Sequence, residues 1–231
     1  MQSEPAQRMI RPRSTLVTGL KRLLAAKGIH FLVTRFGPER LRGFAFDEKY
    51  GQGGWNFPAA GENELAAVVD RYLGAGDLLI MGCGGASILE NLNTDGLSSV
   101  LGIDISGEAI RLADHFASSR VSFLQTDMVK FVCPRSYDVI LFSESLYYVP
   151  AAQREPLLQR LAEHLKPGGV IVATFSQAGR YRKIIRNIRR QFVVLEARPF
   201  TASTRYLMVF RSPGPERVEV ERLVHKTPGA R

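Results

Sequence analysis

The 231-residue chain carries two cysteines, one tryptophan and four histidines, and each scarcity removes a kind of chemistry. Cys83 lies among glycines and Cys133 stands far from it, so the sequence offers neither a disulfide framework nor a Cys/His metal cluster. Two lone thiols suit a reducing compartment. No apolar run reaches the roughly 18 residues that cross a bilayer. The first residues hold arginines but lack the apolar stretch and small-residue cleavage site of a secretory signal. A cytoplasmic protein with no transmembrane segment and no bound metal is the expectation. His115 and His164 fall on helical stretches away from strand ends, which leaves histidine base catalysis without a candidate.

Charge is present in excess but unevenly placed. Residues 1–50 carry ten Lys/Arg against four Asp/Glu, residues 51–178 eight against fourteen, and residues 179–231 thirteen against four. An acidic middle is therefore flanked by basic ends. A solvated surface accounts for this, and so does attraction of an anionic partner such as RNA, a phosphorylated substrate or a membrane surface.

Residues 77–106 organise the chain. An apolar strand over residues 78–81 runs into Gly82-Cys83-Gly84-Gly85, and a second strand over 99–103 ends on Asp104. Glycines let the backbone approach a ligand, and an acid about 20 residues on meets ribose hydroxyls in nucleotide-binding sheets. The third glycine of a dinucleotide fingerprint is missing, because Ser87 stands there. Further apolar strands are expected over 121–125, 137–142 and 170–175, with helices over 62–73, 87–93, 106–116 and 153–165 between them. This alternation predicts a doubly wound, mostly parallel α/β sheet. A basic helix over 179–190 follows, then strands over 191–197 and 205–210. The seven residues between those strands are too few for a parallel crossover, so the terminal pair is antiparallel. Ahead of the sheet, Ser14 reads as the cap of an amphipathic helix ending near Gly28. The glycine- and aromatic-rich residues 44–57, with Tyr50 and Trp55, read as a loop able to close over a ligand or as an aromatic pin. The expected organisation is an N-terminal helical segment and lid (1–59), a nucleoside-binding domain (60–211) and a tail (212–231).

Taken in order, Gly82-Cys83-Gly84, Asp104, Asp127-Met128 and Pro167-Gly168-Gly169 resemble the motifs of class I S-adenosylmethionine-dependent methyltransferases, a Rossmann-like seven-stranded fold, across about residues 60–211. The resemblance implies S-adenosyl-L-methionine as cofactor and S-adenosyl-L-homocysteine as product. It implies that Gly82, Cys83 and Gly84 pass beneath the methionine part. Asp104 with Ile105 would take the ribose, Asp127 with Met128 the adenine, and Ser143, Tyr50 and Trp55 would complete the cofactor site. Two positions depart from the pattern. Ile80 stands where the family commonly has an acid for the cofactor's ammonium, and Ala86 replaces a glycine.

The segment Ser143-Glu144-Ser145-Leu146-Tyr147-Tyr148 is similar to that of nodulation-protein-S-like enzymes, which methylate an amine on a chitooligosaccharide. That similarity implies a small-molecule or glycan-type acceptor and N-methylation in small-molecule biosynthesis. Glu144 would then accept a hydrogen bond from the amine, and Tyr147 and Tyr148 would orient it. Three alternatives remain at the sequence level. One is an RNA methyltransferase using the basic face of Arg182, Arg186 and Arg189. The second is O-methylation of a sugar or secondary metabolite. The third is a non-catalytic nucleoside-binding partner subunit. Either a monomer or a homodimer is compatible.

Overall fold

Strands form where apolar residues run unbroken, because a parallel strand in a doubly wound sheet is covered on both faces. The run Val139-Ile140-Leu141-Phe142 is fully buried in this way. The computed structural model describes residues 27–53, 61–94 and 96–213. The helix expected from Ser14, Trp55 and most of the expected tail lie outside the described residues.

In chain order the elements are α1 (Lys27–Phe36), α2 (Glu39–Gly51), α3 (Glu62–Leu73), β1 (Asp77–Met81), β2 (Ser99–Asp104), α4 (Gly107–Ala113) and β3 (Val121–Gln125). They continue with β4 (Tyr137–Phe142), α5 (Ala151–Ala162), β5 (Leu165–Phe175), α6 (Arg182–Gln191), β6 (Val193–Pro199) and β7 (Tyr206–Arg211). One seven-stranded sheet has the order β3-β2-β1-β4-β5-β7-β6. β1 to β5 are parallel, and β7 runs antiparallel to both neighbours. This is the doubly wound α/β fold with the terminal antiparallel pair that the sequence predicts.

Each face of the sheet is closed by helices. Leu65, Val68, Val69 and Leu73 of α3 pack on one side with Leu78, Ile80 and Val172. Leu157, Leu158 and Leu161 of α5 and Ile184, Ile185 and Ile188 of α6 pack on the other with Ile140, Phe142 and Met208. The chain winds outward through β1, β2 and β3 and then returns to place β4 beside β1. That reversal of order opens a crevice at the carboxyl ends of β1 and β4, where ligands bind in such sheets.

Several expected boundaries move. The helix expected over 87–93 is a single 3₁₀ turn, Ser87–Glu90. β5 begins at Leu165, so Pro167-Gly168-Gly169 lies inside the strand rather than ahead of it. Gly28 is helical, within α1, which runs on to Phe36. Residues 44–51, expected as loop, belong to α2. Phe46 is buried there, and Asp47 is tied to α4, so tertiary contacts outweigh the glycines at 43 and 51.

Candidate active site

The glycine turn after β1 forms the floor of the crevice. The N–H groups of Gly82 and Cys83 both donate to the Ile103 carbonyl at 2.8 Å, which ties the turn to the end of β2. Gly82 and Gly84 have φ of +71° and +55°, in the left-handed region that costs side chains dearly. Space is as tight as conformation. A Cβ on Gly84 would stand 2.7 Å from Tyr50 Oη, and one on Gly82 would stand 2.7 Å from Ser145 Cβ. Bare backbone therefore faces a cavity of about 990 Å³, part of it open to solvent.

β2 and β3 bring acids to that cavity. Asp104 Oδ2 accepts from Gly84 N and Oδ1 from Ser106 N, each at 2.9 Å. Burial pushes its carboxyl up to about 6, against the lowering effect of those N–H donors. Ser106 caps α4 as the sequence predicts, accepting from Ala109 N at 3.0 Å. Asp127 is also buried, accepts from Val129 N, and is ion-paired with Arg42 of α2. Cys83 lines the same cavity, and burial followed by the Asp104 charge raises its thiol well above the ordinary range. That places it as part of the wall and not as a nucleophile.

α2 lies across the side of the crevice that holds Asp104 and Asp127. Asp47 accepts from Ser106 Oγ at 2.6 Å and from Glu108 N at 3.1 Å, and Glu39 pairs with Lys130. Phe46 meets Tyr148 edge-on with ring centroids 5.3 Å apart. Tyr50 lines the cavity above Gly84, and burial, then the nearby Asp104, raises its phenol well above the ordinary range.

The end of β4 supplies the other half. Glu144 is buried and has a φ of +52°, a strained conformation for a residue with a Cβ. Its N–H donates to Thr174 Oγ1 at 3.0 Å. Its carboxylate receives Tyr147 Oη at 3.1 Å and Arg205 Nε at 3.3 Å. Arg205 also donates to Glu62 Oε1 at 2.6 Å and to Ser143 Oγ at 3.2 Å, and its guanidinium lies 5.1 Å from the Phe200 ring centroid. One cation thus holds two buried carboxylates at the cavity wall.

Of the residues expected at the site, Gly82, Cys83, Gly84, Asp104, Ile105, Asp127, Met128, Ser143, Glu144, Tyr148 and Tyr50 all line this cavity. Tyr147 is in the core and meets the site through its hydroxyl on Glu144, stacked at 4.3 Å on Tyr181. Ile80 lines the cavity too, so no acid projects from that position of β1. Asp77 lies at the opposite end of the strand, bound to Lys166 at 2.6 Å.

Sequence reasoning missed Glu62, Arg205, Arg42 and Asp47. For Arg205 a signal existed. An antiparallel last strand must begin at the edge where the parallel strands end, and Tyr206 indeed pairs with Phe175. Glu62 opens the helix before β1 and reads only as a helix-starting acid.

Comparison with known proteins agrees with this geometry. Residues 78–169 match the family described as "Methyltransferase domain". The sheet order is that of the class I methyltransferase, Rossmann-like fold. Among curated relatives, a ubiquinone biosynthesis O-methyltransferase of Rickettsia akari (strain Hartford) is 27% identical over 118 residues, covering 49% of this chain and 46% of that protein. An eEF1A lysine and N-terminal methyltransferase of Bos taurus is 31% identical over 123 residues, covering 51% of this chain and 17% of that protein. The chain thus spans less than half the length of either. Among solved structures, the N-methyltransferase NodS from Bradyrhizobium japonicum WM9 in complex with S-adenosyl-L-homocysteine has a TM-score of 0.54 at 21% identity. The match covers 85% of this chain and 98% of that one.

Proposed function

We propose that the chain is an S-adenosylmethionine-dependent methyltransferase that transfers the methyl group to an amine of a small-molecule or glycan-type acceptor. Glu144 carries the choice of nitrogen. It is the buried carboxylate at the end of β4, and no histidine lines the cavity among the described residues. The nucleoside half fits the cofactor. Bare glycine backbone leaves room for it, Asp104 would accept from the ribose hydroxyls, and Asp127 with Met128 would take the adenine. Bound there, the cofactor supplies an electrophilic methyl on a sulfonium with a neutral thioether as leaving group.

The protein's own task is then positioning. An acceptor held in line at near-attack distance gains most of its rate from lost translational and rotational freedom. Glu144 accepts an N–H from the neutral amine and leaves the lone pair directed away from the carboxylate. As the nitrogen gains its fourth bond it becomes cationic, and the same carboxylate stabilises it and takes the proton that is shed. Arg205 and Tyr147 fix the carboxylate. Tyr148 and Phe46 wall the site from water. Among known structures of this fold, NodS and the glycopeptide enzyme MtfA are both N-methyltransferases, which supports nitrogen, while the Rickettsia akari relative is an O-methyltransferase.

The test is transfer of labelled methyl into a cell extract separated into RNA and small-molecule/glycan fractions. Label on nitrogen in the small-molecule/glycan fraction is the expected result. Label in RNA would replace this reading with one in which the exposed arginines of α6 bind phosphates.

A further inference from the structure

We infer that Glu62 takes the role of the acid that β1 lacks, and receives the ammonium group of the cofactor's methionine part. This inference rests on the cofactor reading proposed above. The cavity runs along the ends of β3, β2, β1 and β4. Asp127 and Asp104 mark its nucleoside half, so the amino-acid tail of the cofactor falls toward β1 and β4. An ammonium brought there needs a charged acceptor, because an unpaired cation in a buried site is costly. Ile80, at the usual position, offers only methyl and methylene groups.

Glu62 meets the need from a different element. It opens α3 immediately before β1, is 7% exposed, and lines the cavity together with Ile80, Gly82 and Glu144. Its Oε1 is taken by Arg205 at 2.6 Å, and Oε2 has no hydrogen-bond partner among the described residues. Glu144, by contrast, takes a bond on each oxygen, from Arg205 and from Tyr147, and the lone pairs left to it are those assigned above to the acceptor amine. Two carboxylates share one guanidinium, which leaves the trio one negative charge in excess. A single ammonium on Glu62 balances it. Arg205 then serves as a positioning residue that holds the cofactor-side acid and the acceptor-side acid on one rigid donor.

The experiment compares two ligands by calorimetry at fixed pH and salt. S-adenosylhomocysteine carries the amino-acid tail, and 5′-methylthioadenosine has the same nucleoside and thioether without it. Glu62→Gln keeps the shape and removes the charge. Loss of a charged hydrogen bond weakens S-adenosylhomocysteine about ten- to a hundredfold, with 5′-methylthioadenosine changed by less than about twofold. Glu62→Ala gives the same contrast should the glutamine variant fail to fold. Equal weakening of both ligands, or of neither, overturns the role of Glu62 and leaves the cofactor reading standing. Binding of neither ligand to the unaltered protein overturns the cofactor reading itself.

Discussion

At the scale of single residues, the site is set by where charge is buried and by which oxygen is left open. Asp104 is held above the ordinary carboxylate range, to about 6, chiefly by burial. The sign follows directly. Its folded pKa exceeds the unfolded one, so protonation is favoured by the fold, and ionisation lowers stability as pH rises from about 4 to about 6. In the proposed site, however, the ribose hydroxyls would donate to the ionised form. S-adenosylhomocysteine affinity is therefore predicted to fall by up to about tenfold per pH unit below about 6. Asp104→Asn should bind weakly and lose that step. Calorimetry from pH 5 to pH 8 measures both, and a pH-independent affinity in the unaltered protein would remove Asp104 from the ribose site. Arg205 makes a second prediction at this scale. Arg205→Met leaves Glu62 and Glu144 buried without their cation, a loss of about 3–5 kcal/mol in urea unfolding. A loss below about 1 kcal/mol would mean that water replaces the guanidinium.

At the scale of elements, α2 and α6 separate two kinds of basic and aromatic sequence. α2 is fastened to the Asp104/Asp127 side of the crevice by Asp47 on Ser106 and Glu108, by Arg42 on Asp127 and by Glu39 on Lys130. Hydrogen bonds to a carboxylate contribute about 1.5–3 kcal/mol. Asp47→Ala should accelerate amide exchange over residues 39–51 at least about tenfold while β1 and β4 keep their protection. Uniform acceleration would mean that α2 and the sheet unfold as one unit. α6 buries Ile184, Ile185 and Ile188 and leaves Arg182, Lys183, Arg186, Arg189 and Arg190 exposed. Replacing Arg182, Arg186 and Arg189 by Gln should change stability by less than about 0.5 kcal/mol per site and methyl transfer to a small acceptor by less than about twofold. A large loss of transfer would make the helix part of the acceptor site.

At the scale of the whole molecule, most of the sheet was legible because parallel strands write themselves as unbroken apolar runs. The antiparallel end followed from a seven-residue connection. The strand-end acids were legible for the same reason: β2 stops on Asp104 and Asp127 follows two residues after β3, which shows where the carboxyl edge lies. What the sequence hid was convergence. Glu62 of α3, Glu144 just after β4 and Arg205 just before β7 are far apart in the chain, and only the closed sheet brings them within hydrogen-bond reach. The helical state of residues 44–51 was hidden likewise, since Phe46 and Asp47 gain their partners, Tyr148 and Ser106, only after folding.

The central claim, methyl transfer to an amine acceptor with Glu144 receiving its N–H, is tested most directly by isotope-labelled methyl transfer followed by mass spectrometry of the product. Parallel reactions would use the unaltered chain and Glu144→Gln. The account predicts label on nitrogen in a small-molecule or glycan product and a fall in turnover of about a hundredfold or more in the variant. Label on oxygen or in RNA, or turnover unchanged in Glu144→Gln, would contradict it.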